Sequence, residues 1–128
     1  MIYELSQRFY FEAAHTLDRE IDAPSSKRIH GHTYHAEVSV RGPRDPETGM
    51  VIDLALLRRE IERVRAILDH AFLDDVPGLR TPTLENLSTF IADQFAELDP
   101  PISSVRVWRE ASGDSCLLTI EPQRRELC

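Results

Sequence analysis

The sequence predicts an α+β domain in which an antiparallel sheet carries two helices on one face. Two observations support this fold class. Segments with a two-residue apolar period lie at both ends of the chain, and two segments with a helical period lie between them. The chain has 128 residues, of which 41% are hydrophobic, so a single domain over residues 1–128 can bury a core without disulfides.

The first half of the sheet is predicted from two alternating segments. Residues 2–15 place apolar side chains on one face and charged side chains on the other, which is typical of a strand. Residues 17–27 have mixed charge and a Pro-Ser-Ser core, which indicates a loop. The alternation returns in residues 30–40 and predicts a second strand.

Two helices are expected in the middle of the chain. After turn residues at 45–49, Met50 to Ile52 are predicted to form a short strand, and Asp53 is predicted to cap a helix that ends near His70. Thr83 is predicted to cap a second helix that ends at about Leu98, before two prolines.

The last part of the chain predicts a hairpin. Residues 105–110 and 116–121 are rich in β-forming side chains, and Ser112-Gly113-Asp114 connects them. The predicted order is therefore ββ(β)ααββ, in which the bracketed strand is the short segment before the first helix.

Charge and composition exclude several classes of function. The net charge of −7 disfavours nucleic acid as the main partner and favours a small molecule. The first fifteen residues lack a hydrophobic signal segment, and the longest apolar run is broken by Asp53, so neither secretion nor a membrane span is expected. Cys116 and Cys128 have no metal or disulfide spacing, and a cytoplasmic location is expected.

Three histidines are predicted to converge at one rim of the sheet. The strand period places His30 and His32 on one face and His35 on the other, and His15 ends the first strand on the matching face. Three neutral imidazoles are typical of a catalytic zinc site, although iron and copper accept the same ligands. The alternative is that these are ordinary strand histidines bonded to their neighbours.

The other chemically interesting residues each have two interpretations. Asp69-His70 is either a helix-end pair or an acid/base pair in which the carboxylate selects the imidazole tautomer. Glu85 fits a helix-dipole residue. Glu110 is predicted on a face with Trp108, where it either forms a salt bridge or accepts hydrogen bonds from the N–H groups of a ligand.

Taken in order, six segments resemble the 6-pyruvoyl-tetrahydropterin synthase family, and most closely its bacterial 6-carboxy-tetrahydropterin synthase branch in the queuosine pathway. The segments that carry this resemblance are Phe11-Glu12-Ala13-Ala14-His15, His30-Gly31-His32-Thr33-Tyr34, Thr48-Gly49-Met50-Val51-Ile52-Asp53, Leu68-Asp69-His70, Pro82-Thr83-Leu84-Glu85-Asn86 and Glu110. One such segment is a weak signal, whereas six at matching intervals are specific.

The resemblance implies a fold, an assembly and a site. It implies the T-fold (tunnelling fold), in trimeric barrels that stack as hexamers with active sites between subunits. It also implies zinc on the three histidines and a proton-transfer pair in Asp69 and His70. A pterin ring is implied to be anchored by Glu110 and contacted near Thr83 and Glu85.

One position departs from the family pattern. The family's catalytic cysteine precedes the first histidine of H-G-H by four residues, and that position here is Ser26. A serine hydroxyl is a weak base unless a neighbour activates it. Glu20 and Asp22 in the same loop are candidate replacements, although solvated loop acids are the simpler interpretation.

Three functions are consistent with these residues. The first is a zinc-dependent lyase that acts on 7,8-dihydroneopterin triphosphate, with Lys27 and Arg28 providing positive charge for the anionic substrate. The second is a homo-oligomer that binds zinc and a pterin or purine but has lost the reaction. The third is a zinc hydratase or hydrolase unrelated to pterins.

Overall fold

The computed structural model describes residues 1–17, 21, 24 and 27–121. In chain order the elements are β1 (Tyr3–His15), β2 (His30–Gly42), α1 (Leu54–Leu68), β3 (Ala71–Phe72), a 3₁₀ turn (Leu73–Asp75), α2 (Leu84–Gln94), β4 (Ile102–Arg109) and β5 (Asp114–Thr119). No helix in these ranges is long and apolar enough to cross a bilayer.

The strands form one five-stranded sheet in the order β3-β1-β2-β4-β5. All neighbours are antiparallel except β3, which runs parallel to β1. β1 and β2 pair without interruption from Tyr3 opposite Gly42 to His15 opposite His30. This register brings the end of β1 and the start of β2 to the same rim.

Both helices pack on the face of the sheet that carries the alternating apolar residues. α1 contacts β1, and α2 contacts β4 and β5. Side chains from β1, β2, β4 and both helices join one buried core, among them Phe11, Val38, Leu57, Ile91 and Val107. The predicted α+β arrangement, with an antiparallel sheet and two helices on one face, is confirmed.

Both predicted helix caps are present. The Asp53 carboxylate accepts a hydrogen bond from the Ala55 N–H at 2.8 Å, and the Thr83 hydroxyl accepts one from the Asn86 N–H at 3.1 Å. The ends differ from the prediction. α1 ends at Leu68 because Asp69 is extended, and α2 ends at Gln94 because the following residues form tighter turns, as in the bond from Leu98 N–H to Phe95 O.

The predicted strand at Met50 to Ile52 is wrong. The preceding turn closes locally, with Gly49 N–H bonded to Asp45 O and Asp45 N–H bonded to Met50 O. Asp53 then starts α1 at once, which leaves no length for a ladder. Ile52 is buried in the core rather than paired in the sheet.

The sequence pattern did not predict β3, and it predicted the last hairpin too late in the chain. β3 pairs Ala71 and Phe72 with Ala13 and Ala14, and two residues are too few to show a period. β4 and β5 begin earlier in the sequence than predicted, and Asp114 is already paired with Arg109. The hairpin turn therefore occupies residues 110–113.

Removal of the α1 cap should measurably destabilise the protein. Asp53→Ala leaves the Ala55 N–H without its acceptor, and we expect a loss of about 1 kcal/mol in the free energy of unfolding. Urea denaturation followed by circular dichroism measures this change. Glu62→Ala, on the exposed side of the same helix, is the matched control and should change stability by less than about 0.5 kcal/mol.

Candidate functional site

The three histidines predicted to converge form a compact cluster, which we call the histidine cluster: His15, His30 and His32. One ring nitrogen from each lies within 4.8 Å of the others. The ring centroid of His15 is 4.4 Å from that of His30 and 5.0 Å from that of His32. The β1–β2 register produces this convergence, because His15 faces His30 directly and Ala13 faces His32.

The predicted exclusion of His35 is confirmed. Its ring stacks on Trp108, with centroids 5.5 Å apart, on the face of the sheet opposite the helices. His35 is one residue out of phase with the cluster, and alternation along β2 therefore carries it to the other side.

Unpaired polar atoms at the cluster fit a metal ion. His15 is 2% exposed, and neither of its ring nitrogens has a hydrogen-bond partner among the described residues. A buried imidazole without partners is costly, since it has lost water and gained nothing in return. Three imidazole donors suit zinc, copper or iron, so the donor set is chemically suited to such an ion.

Two rings of the cluster, those of His15 and His32, are neutral at physiological pH. Burial, followed by the charges of His30, His32 and Arg109, lowers the pKa of His15 to about 4, against an opposing effect of Asp74. Burial, followed by Arg109 and His30, lowers the pKa of His32 to about 4. Metal binding requires neutral imidazoles, so no proton has to be displaced from either ring near pH 7.

Neighbouring groups orient the cluster. His30 Nδ1 lies 2.7 Å from Arg28 O, so Nδ1 carries the proton and donates it to this carbonyl. The lone pair of Nε2 is then available to a metal ion. After His15, the Thr16 N–H donates to Asp74 at 2.9 Å, and the Thr16 hydroxyl bonds to the same carboxylate. These bonds fix both strand ends that carry the histidines.

Asp69 and His70 form a hydrogen-bonded pair at the outer edge of β1. Asp69 accepts the Glu12 N–H at 3.0 Å, and the His70 N–H donates to Glu12 O at 2.6 Å. His70 Nδ1 lies 3.0 Å from the Asp69 carboxylate. The Glu12 N–H is the main cause that lowers the pKa of Asp69, with His70 and Arg65 contributing.

His70 adopts a strained backbone that presents its ring to solvent. Its φ is 59°, in the left-handed region, and its side chain is 77% exposed. In the part of the chain that the structure describes, His70 has no hydrogen bond or ring contact with the histidine cluster. Such strain is typical of functional positions.

The residues predicted to contact a ring are not gathered at the cluster. Thr83 caps α2, and Glu85 is exposed in its first turn. Glu110 accepts a hydrogen bond from the Trp108 indole at 2.8 Å, on the face that carries His35. It lines an open cleft of about 380 Å³, together with Arg8, Trp108 and Arg109. Their roles toward a ligand stay predictions.

Sequence reasoning missed Arg109 and gave no role to Tyr34. Arg109 Nη1 lies 3.2 Å from His32 Nε2, and Arg109 Nη2 donates to Asp114 at 2.6 Å. Burial raises the pKa of Tyr34 to about 12, so its buried hydroxyl stays protonated. The signal was available, because Val105, Val107 and Arg109 alternate onto the face of the cluster.

The candidate base positions lie outside the described residues. These positions are Ser26 and the two loop acids Glu20 and Asp22. Both loop cations, Lys27 and Arg28, are described, and the Arg28 carbonyl is the partner of His30.

Comparisons with known proteins match most of the chain. A family model described as 6-pyruvoyl tetrahydropterin synthase matches residues 4–121. A 6-carboxy-5,6,7,8-tetrahydropterin synthase from Synechocystis is 36% identical over 110 residues, covering 79% of this chain and 81% of the relative. The Homo sapiens 6-pyruvoyl tetrahydrobiopterin synthase is 35% identical over 111 residues, covering 76% and 77%.

A solved structure extends the likeness to the fold. The 6-pyruvoyl tetrahydropterin synthase of Caenorhabditis elegans superposes with a TM-score of 0.82 at 25% identity, covering 94% of this chain and 97% of the other. The T-fold expected from the sequence motifs is thereby confirmed.

Loss of one cluster histidine should abolish metal binding. Protein loaded with zinc should hold about one ion per chain, and His30→Ala should lose most of it because two imidazoles make an incomplete site. Elemental analysis after gel filtration measures the content. His35→Ala should keep its metal, and full occupancy in His30→Ala would contradict the assignment.

Proposed function

Because the chain belongs to the 6-pyruvoyl tetrahydropterin synthase family, we propose that it is a zinc-dependent lyase acting on 7,8-dihydroneopterin triphosphate. The reaction consumes one water and eliminates triphosphate. It releases two side-chain carbons as an aldehyde and leaves the third on the ring as a carboxylate, as expected for the 6-carboxy branch. The observation that carries this proposal is the buried histidine cluster with its two unpaired His15 nitrogens.

The proposal assigns the metal to His15, His30 and His32. Zinc bound there acts as a Lewis acid that polarises a substrate oxygen and makes neighbouring C–H protons easier to remove. The neutral rings of His15 and His32 and the orientation of His30 by Arg28 O support this assignment.

Asp69 and His70 are proposed to hold and move a proton. Asp69 is anchored by the Glu12 N–H and fixes the proton of His70 on Nδ1, so His70 Nε2 remains free to accept another. The exposed position of His70 favours a homo-oligomer, either trimer or hexamer, in which this pair completes a site with the histidine cluster of a second chain.

The small-molecule partner is proposed to be a pterin. Thr83, Glu85 and Glu110 are assigned to it, following the family resemblance. Glu110 is the carboxylate suited to accept the amino and ring N–H groups. The open cleft beside Glu110 and Trp108 supports the assignment of Glu110.

A second candidate function follows from Ser26. A homologue without the family cysteine retains the metal site and the ligand site but lacks a thiolate base. Such a protein binds zinc and a pterin or related purine without turnover. Mass spectrometry of dihydroneopterin triphosphate incubated with zinc-loaded protein separates the two candidates.

Glu110→Gln should weaken ring binding. The substitution replaces an acceptor oxygen with an amide that opposes the N–H groups of the ring. We expect binding of neopterin, measured by calorimetry, to weaken by about 1–3 kcal/mol. Glu62→Gln, on the exposed side of α1, is the matched control. Equal affinity in both variants would remove Glu110 from the site.

Ser26→Cys should raise turnover at least about tenfold if the base was lost at this position. A thiol next to zinc and a histidine ionises near neutral pH, and a positioned base contributes about a hundredfold or more. Product formation over time measures the gain. If Glu20 or Asp22 is the base, the gain from Ser26→Cys is small. The wild-type protein is then active, and Glu20→Gln or Asp22→Asn abolishes that activity.

One result would contradict both hypotheses about the base, the lost cysteine and the replacement by a loop acid. That result is an inactive wild type whose Ser26→Cys variant holds zinc, binds neopterin and still converts no substrate. It would assign the protein to the binding class.

A further inference from the structure

The side chain of Arg109 lies against the histidine cluster without a full set of partners. It ends β4, and alternation along that strand directs it to the same face as His32. Its Nη2 is bonded to Asp114, whereas its Nε is buried and has no acceptor within the described ranges. A buried guanidinium N–H without an acceptor is unfavourable, so the site is built to receive one.

Metal binding would free a second Arg109 nitrogen. Nη1 now lies 3.2 Å from His32 Nε2, and that ring nitrogen has a single lone pair. When His32 Nε2 coordinates a metal, it can no longer accept from Arg109. Both Nη1 and Nε then require an acceptor from elsewhere.

A second donor adjoins the same place. The Tyr34 hydroxyl is buried and has no partner among the described residues, and its ring centroid is 5.6 Å from that of His32. Arg109 Nη1 lies 3.2 Å from His32 Nε2, so Arg109 and Tyr34 both adjoin the ring of His32. Hydroxyl and guanidinium donors beside one metal site share a preference for negative oxygen.

We propose that Arg109, assisted by Tyr34, binds an oxyanion of the ligand at the histidine cluster. This inference rests on the proposed function for the metal. It adds the chemical class of the ligand group that binds beside the metal. The group is a phosphate or a carboxylate. Arg109 also resolves an electrostatic conflict, since a chain with net charge −7 must attract an anionic ligand.

A neighbouring residue offers a matched control for this role. Arg106 lies on the same strand but bonds to Ser115 on the opposite face. A change at Arg106 removes a positive charge close to Arg109 in sequence without touching the cluster.

The test measures oxyanion affinity in cobalt-substituted protein. Inorganic phosphate and acetate are titrated separately, and the visible spectrum of the cobalt ion reports binding. Arg109→Gln should weaken the preferred anion at least about tenfold, as expected for the loss of a charge-assisted hydrogen bond. Arg109→Lys, which keeps the charge, should show a smaller loss and serves as the second variant if Arg109→Gln does not fold.

The control variant and the two anions separate the possible outcomes. Arg106→Gln should bind both anions as the wild type does. Tighter phosphate binding indicates the phosphate end of a substrate, and tighter acetate binding indicates a carboxylate. Unchanged affinity in a fully metal-loaded Arg109→Gln protein would overturn the inference.

Failure of the proposed function would be visible separately. Wild-type protein that takes up neither zinc nor cobalt contradicts the metal assignment. The same anions are then titrated into metal-free protein and followed by calorimetry. The unpaired Nε predicts weak binding that Arg109→Gln abolishes, and equal binding in both proteins overturns the inference.

Discussion

β1 and β2 pair along thirteen residues each, and the site depends on the register of this pairing. The register sets His15 opposite His30. His32 lies two residues further along β2 and therefore on the same face. A slip of one residue would turn one strand over and separate His15 from its partners. The same alternation buries Phe11 and Tyr34 beneath the helices, so core packing and convergence of the histidines are stabilised together.

The cluster combines burial with positive charge. Burial and Arg109 both favour neutral imidazoles, which is the state that coordinates a metal. The buried nitrogens of His15 have no partner among the described residues, and such atoms are tolerated where a ligand satisfies them. Stability and function therefore oppose each other here, as is common at sites that are complete only when occupied.

Asp69 and His70 are positioned by hydrogen bonds to the backbone of β1 rather than by packing in the core. Two hydrogen bonds to Glu12 fasten the pair to the edge of β1, and β3 continues this attachment at Ala71. The exposed ring of His70 is thus held at a fixed point of the surface.

The sequence by itself determined the family, the α+β class, both helix caps and the convergence of the three histidines, because apolar periods and short motifs are local properties. It failed for Met50 to Ile52 and for β3, since strand pairing is decided by distant partners and not by local propensity. Alternation along β4 could assign Arg109 and Glu110 to opposite faces. Only the tertiary structure decided that Arg109 meets His32 and that Glu110 is bonded to Trp108. The physical reason is that adjacent residues of a strand point to opposite sides, so a contact with a distant ligand depends on the exact register and end of β4.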